Sequence, residues 1–145
     1  RPVTRTVRRS QGRAYGEEFS FMYTDNMDIN ELQHILDRFV PPYSTTISCA
    51  EGWYELIFQC DKELSEIDPD YQIYQIKEKF GSLRYYFETS DASKSDEMNS
   101  VVRDYELKSL RVCELTGRAG TLMKKDGYYK TLEPTLGEAS GYVLH

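Results

Sequence analysis

The sequence predicts an α+β fold in which about three helices pack on a small antiparallel sheet. Apolar residues recur at helical spacing in three separate segments, which predicts three amphipathic helices. Two further segments are rich in β-branched and aromatic residues and contain a glycine turn, which predicts two hairpins. The 145 residues are 39% hydrophobic and 13% aromatic, enough to bury one core. We therefore expect a single α+β domain over residues 15–145, preceded by an arm at residues 1–14.

The arm is basic and the body behind it is acidic. Five arginines and no acidic residue lie in the arm: Arg1, Arg5, Arg8, Arg9 and Arg13. The rest of the chain carries 13 basic and 24 acidic side chains, a net charge of −11. These arginines are predicted partner-binding residues, on nucleic acid or on an acidic protein; a merely solubilising terminus is the alternative. The acidic body repels phosphates, so we do not expect general nucleic-acid binding by the whole chain.

The first elements after the arm are a strand and a helix. Tyr15–Tyr23 is aromatic-rich and partly alternating, which predicts an edge strand. The first helix is expected to begin at Asp28 as N-cap, with Glu31 completing a capping box, and to end before Pro41-Pro42. His34 lies off its apolar stripe, so this side chain is expected to face solvent rather than to act in catalysis.

Two more helices are predicted from apolar periodicity. The second spans Cys49–Ile67 and includes the single tryptophan, Trp53, on its apolar stripe. Packing in the core is favoured for Trp53 over a role as a binding anchor. The third helix is capped by Ser93 or Ser95 and runs to about Cys113.

Residues 74–87 predict a hairpin that turns at Gly81-Ser82. With that turn, Lys79 pairs with Arg84 and Lys77 pairs with Tyr86. Alternation then separates two faces. An apolar face, interrupted by Glu78, is expected to pack against the second and third helices: Tyr74, Ile76, Phe80, Leu83, Tyr85 and Phe87. The other face is left for solvent and holds Gln75 besides four residues that form a basic face: Lys77, Lys79, Arg84 and Tyr86.

The basic face is the candidate ligand site. Lys77, Lys79, Arg84 and Tyr86 offer point charges, a guanidinium fork and a stacking ring, which suit a phosphate or a nucleotide. The alternative is a solvated sheet side whose cations pair with acids or protect an edge. A second, smaller hairpin is predicted near the C-terminus, around Asp126-Gly127.

The chain lacks the residue patterns of common catalytic and metal sites. Its three cysteines, Cys49, Cys60 and Cys113, are odd in number and widely spaced, which favours a reducing compartment over a disulfide framework. With only His34 and His145 besides, there is no recognisable zinc set. No phosphate loop, dinucleotide fingerprint, nucleophile–base pair, secretory leader or membrane-length apolar run is recognised. We therefore expect a non-enzyme without cofactor or metal, and no membrane partner.

Four segments carry a resemblance to a known family. They are Gly52–Leu56, Ile76–Phe87, Cys113–Gly120 and Gly127–Leu132, and KEKFGSLRYY is the most specific element. Over residues 49–135 the chain resembles a family of small, largely uncharacterised phage and prophage proteins. The resemblance implies a setting in the host cytoplasm or the virion more than it implies an activity.

The resemblance also implies a C-terminal zinc ribbon, which is degenerate here over residues 113–135. Cys113 stands at the first ligand position, but Thr116 occupies the second and Glu133-Pro134 follows the hairpin. We therefore expect that the metal is lost. Hydrogen bonds and four apolar side chains are expected to replace its contribution to folding: Leu122, Tyr128, Tyr129 and Leu132.

Two functions remain open from the sequence. The first is a non-catalytic phage accessory protein that docks on a protein partner, either a virion component or a host system. The alternative is a binding protein for a nucleotide or another phosphate-bearing ligand, with the site on the basic face.

Overall fold

The computed structural model describes residues 26–145, and the predicted strand Tyr15–Tyr23 lies outside this range. The chain divides into two units, residues 1–37 and residues 38–145. In the first unit, helix α1 spans Asn26–Leu36, so it begins before the predicted cap and ends before Phe39. His34 is exposed, as predicted.

Phe39 belongs to the second unit, where it is extended rather than helical. It forms a parallel bridge to Ile73, whose N–H donates to the carbonyl oxygen of Arg38 at 2.8 Å. Strand pairing therefore replaces helical hydrogen bonds here, which explains why the helix ends earlier than the apolar periodicity predicts.

The first sheet of the second unit contains three strands in the order β1-β2-β3. These are β1 (Ile47–Ser48), β2 (Gln72–Lys79) and β3 (Ser82–Glu88). Strand β1 is parallel to β2, and β2 is antiparallel to β3. The central hairpin predicted from the sequence is thus present, and β1 was not predicted.

Two long helices cover this sheet. Helix α2 (Tyr54–Ile67) follows a 3-10 turn at Glu51–Trp53, and helix α3 (Ser95–Ser109) follows one at Ala92–Lys94. Helix α3 contacts both α2 and β3, and it ends four residues before the predicted end at Cys113. The core contains side chains from both helices and both strands of the hairpin: Trp53, Ile57, Cys60, Leu64, Ile73, Ile76, Leu83, Tyr85, Met98, Val102 and Tyr105.

Trp53 is packed in the core, as the sequence predicts. Its side chain is fully buried, and its indole Nε1–H donates to the carbonyl oxygen of Val112 at 2.8 Å. A buried indole with its polar atom bonded is a structural anchor.

A second sheet lies near the C-terminus, with strands in the order β5-β4-β6. The predicted hairpin is confirmed as β4 (Thr121–Lys125) and β5 (Tyr128–Leu132). Asp126 and Gly127 turn between them with φ of 52° and 83°. Helix α4 (Pro134–Ala139) and strand β6 (Val143–Leu144), which pairs with β4, were not predicted. Residues 26–145 therefore form four α-helices and two small sheets, the predicted α+β class with one helix more.

The segments that carry the resemblance pack against one another. The N–H of Gly52 donates to the carbonyl oxygen of Glu114 at 2.7 Å, and a Cβ at Gly52 would overlap the carbonyl oxygens of Cys113 and Glu114. The hydroxyl of Thr131 donates to the carbonyl oxygen of Gly81 at 2.7 Å, which joins the two hairpins. These contacts give Gly52 and Gly81 a structural role.

Hydrogen bonds hold the turn that follows Cys113 and connect it to Glu133. The N–H of Gly117 donates to the carbonyl oxygen of Cys113 at 2.9 Å. The hydroxyl of Thr116 donates to Oε2 of Glu133 at 2.6 Å, and Nε of Arg118 lies 3.3 Å from the same oxygen. Thr116 and Glu133 therefore hydrogen-bond to each other at positions where the resemblance implies metal ligands.

The apolar contacts of this region differ in part from the prediction. Leu132 is buried together with Cys113 and Met123, whereas Leu122 and Tyr129 are only partly buried. Tyr128 is 74% exposed, so its predicted contribution to the apolar contacts is wrong. Tyr128 is the first residue after the turn, in the strand pair that closes the hairpin. Leu136 and Tyr142 pack against the buried cluster instead.

Between residues 26 and 145, no helix combines the length and the apolar content that a bilayer crossing requires.

Candidate functional site

The turn between β2 and β3 lies one residue earlier than predicted. Phe80 and Gly81 form it, with φ of 55° and 83°, which is typical of a two-residue type I′ turn. The N–H of Gly81 donates to Oε2 of Glu78 at 2.8 Å. A φ of 83° favours glycine at position 81, and a Cβ there would also meet the end of the Leu122 side chain.

The strand register is therefore different from the prediction, but the faces are not. Lys77 lies opposite Arg84 and Gln75 opposite Tyr86, where Lys79–Arg84 and Lys77–Tyr86 pairs were predicted. Moving the turn by one residue moves each partner by two, so the paired residues between the turn and the bulge at Tyr74 keep their faces. The structure thus brings Lys77, Lys79, Arg84 and Tyr86 together on one side of the hairpin, and we call these four residues the basic face.

The opposite face is apolar, but three of its six predicted residues are not buried. Ile76, Leu83 and Tyr85 are buried there, as predicted. Phe80 was predicted on this face but lies in the turn and is 66% exposed. Tyr74 lies at a bulge between Ile73 and Gln75 and is only partly buried, so Ile73 takes the core position instead. Phe87 is also only partly buried.

The cations of the basic face have no carboxylate partner in the part of the chain that the structure describes. Lys77 and Arg84 lie directly opposite each other on the two strands. The Cα atoms of such a hydrogen-bonded pair are about 5.5 Å apart. Between residues 26 and 145, neither they nor Lys79 forms an ion pair within 4.0 Å. Nζ of Lys79 lies 5.6 Å from the ring centroid of Phe80. Tyr86 is 42% exposed.

Other cations of the second unit do pair with acids. Nζ of Lys130 lies 3.1 Å from Glu114 and 3.9 Å from Glu78, and Nε of Arg38 lies 2.9 Å from Asp61. Glu78 belongs to the hairpin itself, but it points away from the basic face. Within residues 26–145, the cations of the basic face form no such pairs. This observation disfavours the alternative that neighbouring acids neutralise them.

A buried polar network that the sequence did not reveal links α2 to the first sheet. Oδ1 of Asp61 accepts hydrogen bonds from Nε of Arg38 at 2.9 Å and from the Tyr71 hydroxyl at 2.5 Å. The hydroxyls of Tyr71 and Tyr85 are 2.6 Å apart. Burial, followed by the nearby charge of Asp61, raises the pKa of Tyr71. Both phenols therefore stay protonated, and the network serves packing.

Asp68 ties the end of α2 to the loop after β3. Its carboxylate accepts hydrogen bonds from the N–H and hydroxyl of Ser90, both at 2.7 Å, and from Thr89 and Asp70. Burial alone would raise the pKa of Asp68, but these hydrogen bonds lower it to about 2. The carboxylate is therefore charged at neutral pH and acts as a structural acceptor.

Two of the thiols are poor nucleophiles. Burial, followed by the charges of Glu114 and Glu78, raises the pKa of Cys49 to about 12. Burial likewise raises the pKa of Cys60. Because the thiolate is the reactive form, neither side chain is activated for attack. His145 packs edge-on against the ring of Tyr129, with centroids 5.1 Å apart.

Two further sequence predictions concern the metal and the arm. In the described range 26–145, no group of three or more His, Cys, Asp or Glu side chains is arranged to hold a metal ion. Five predicted partner-binding arginines lie outside the described residues: Arg1, Arg5, Arg8, Arg9 and Arg13.

The chain gives no significant match to protein-family models, to curated proteins or to solved structures. Its likeness to phage proteins therefore stays a prediction from the four segments named above.

Proposed function

We propose that this protein is a non-catalytic docking protein whose basic face binds an acidic surface of a partner protein. The proposal rests on one observation: Lys77 and Arg84 lie directly opposite each other, and within residues 26–145 neither forms an ion pair with a carboxylate. Like charges opposite each other destabilise a strand pair by roughly 0.2–1 kcal/mol. An acidic partner surface would remove this repulsion on binding, so the arrangement favours the complex over the free chain.

The shape and composition of the basic face support a macromolecular partner. The four side chains lie on one side of the hairpin and are spread over both of its strands, with Lys77 opposite Arg84. Exposed Tyr86 lies on this side, and exposed Phe80 lies at its end, next to Lys79. Arginine and aromatic side chains are the residue types enriched at energetically important interface positions.

The resemblance to phage proteins supports a setting for this docking. In that setting the partner is a virion component or a host protein, and the chain acts in the host cytoplasm or in the virion. The five arginines of the arm would contribute further positive charge to binding of the same acidic partner. Deletion of residues 1–13 measures their share of the binding.

Affinity capture from phage-infected host cells tests the proposal. The tagged full chain is compared with the double variant Lys77→Glu/Arg84→Glu and with the control Lys62→Glu/Arg111→Glu, which makes the same charge change at exposed positions elsewhere. We expect a partner that the wild type and the control retain, that the test variant loses, and that high salt releases. Equal retention by both variants, with both folded, would refute docking through the basic face.

A phosphate-bearing ligand is the second candidate. The guanidinium of Arg84 beside Lys77 favours it, because a guanidinium fork binds phosphate oxygens in pairs. A thermal-shift screen against nucleotides and inorganic phosphate tests it, since a ligand at 100 times its Kd stabilises the folded chain by about 2.7 kcal/mol. A shift that disappears in Lys77→Glu/Arg84→Glu supports this candidate, whereas a flat screen contradicts it.

A further inference from the structure

The outer edge of β3 is only partly covered by α3. The N–H of Leu83 donates to Oγ of Ser109 at 2.9 Å, and the N–H of Tyr85 donates to Oε2 of Glu106 at 2.9 Å. Both amides belong to residues in non-hydrogen-bonded pairs with β2, whose backbone groups point outward. Two side chains, one turn apart on α3, thus protect the first half of this edge.

The second half of the edge lacks this protection. Phe87 lies opposite Ile73. The N–H of Ile73 points away from β3 and donates to the carbonyl oxygen of Arg38, so Ile73 and Phe87 are a non-hydrogen-bonded pair. The N–H of Phe87 therefore also points outward, away from β2. One turn before Glu106, α3 presents Val102 and Arg103, an apolar side chain and a donor, and neither can accept a hydrogen bond. Within residues 26–145, the N–H of Phe87 and the outward carbonyl of Tyr85 therefore have no hydrogen-bond partner.

A cleft of about 580 Å³ lies beside this stretch, between β3 and the first half of α3. This volume is within the range of small-molecule binding sites, roughly 300–1,000 Å³. The residues that line it include Tyr86, Asp96, Asn99, Arg103 and Glu106, of which two are acidic and one is basic. The two carboxylates and one guanidinium leave one negative charge, which complements a single basic side chain.

We propose that this cleft binds an extended segment of a partner protein that carries one arginine or lysine. The segment adds to β3 as a short strand, and its backbone bonds to the carbonyl of Tyr85 and the N–H of Phe87. Its basic side chain pairs with Asp96 and Glu106 and lies against the ring of Tyr86. The proposal does not depend on the cations of the basic face.

The test uses the peptide acetyl-Thr-Val-Arg-Val-Thr-amide and the isotope-labelled full chain. On titration we expect the amide signal of Phe87 to move and its hydrogen exchange to slow. The amides of Leu83 and Tyr85, already bonded to α3, should keep their slow exchange. A Phe87 amide that neither moves nor gains protection would overturn the proposal.

Matched peptides separate backbone pairing from charge. A peptide with glutamate in place of arginine should bind at least about tenfold more weakly, because it adds charge to an already negative cleft. A peptide N-methylated at the arginine lacks one backbone donor and should also bind more weakly. Equal affinity for either control peptide would contradict strand addition by a basic segment.

Variants of α3 test the charge assignment. Asp96→Asn should weaken binding about three- to tenfold, whereas Arg103→Gln should strengthen it by removing a repelling cation. Asp104→Asn, at an exposed position on the same helix, is the control and should have no effect. Lys77→Glu/Arg84→Glu removes positive charge and should not weaken binding of the basic peptide, so a failure of the basic face is distinguishable from a failure of this site. An unchanged affinity in Asp96→Asn and Arg103→Gln would refute the assignment.

Discussion

Replacing Lys77 by glutamine should stabilise the free protein, although the whole chain carries a net charge of −6. In an acidic protein the loss of a cation usually removes a favourable interaction. At this position it removes the repulsion from Arg84 directly across the strand pair. Two unit charges about 6 Å apart in a medium with a dielectric constant near 80 repel by about 0.7 kcal/mol, the expected gain.

Thermal unfolding at low salt measures this effect. For a chain of this size, about 0.7 kcal/mol corresponds to a Tm increase of roughly 2 °C. The increase should disappear near 1 M salt, where the Debye length is about 3 Å. Lys62→Gln, at an exposed position on α2, is the control and should not raise the Tm. If Lys77→Gln lowers the Tm as much as the control does, Lys77 is compensated by a nearby acid, and the repulsion argument is wrong.

Four other predictions test the packing and the ribbon. Gly52→Ala should lower the free energy of unfolding in urea by at least about 3 kcal/mol, since the added Cβ meets two backbone carbonyl oxygens. The matched control Gly127→Ala has open space around the added Cβ and should cost only about 1 kcal/mol, because of its positive φ. Ser109→Ala should cost about 1–3 kcal/mol in the same assay by leaving the N–H of Leu83 without its acceptor; a neutral effect would contradict this bond. Because the pKa of Asp68 is lowered, its carboxylate stabilises the fold fully above about pH 4, and this stability is lost as the pH falls to about 2. Asp68→Asn should therefore cost roughly 1–2 kcal/mol at pH 7 and far less at pH 2. An equal cost at both pH values would contradict this prediction. Chain purified without chelator should contain no stoichiometric zinc by elemental analysis, and EDTA should leave its Tm unchanged; a metal at one equivalent would contradict the loss of the ribbon site.

Local patterns predicted the elements whose stability is local. The apolar stripe of α2 and the Asp126-Gly127 turn each appear in the structure near the predicted place. Alternation also assigned the four residues of the basic face to one side, although the turn position was wrong. The period of two makes a face assignment insensitive to a one-residue movement of a two-residue turn.

The missed features depend on contacts between distant residues. The Phe80-Gly81 turn contacts the second hairpin, where the hydroxyl of Thr131, 50 positions along the chain, donates to the carbonyl oxygen of Gly81. The Arg38–Asp61 pair joins residues 23 positions apart, so no local window reveals it. The same holds for the cleft beside β3, since it depends on which residue of α3 faces Phe87.

Lysine acetylation of the free chain and of its captured complex, read by mass spectrometry, tests docking through the basic face most directly. We predict that Lys77 and Lys79 react in the free protein and lose most of their reactivity in the complex, while Lys62 and Lys124 react equally in both. Unchanged reactivity of Lys77 and Lys79 in the complex would contradict the proposed function.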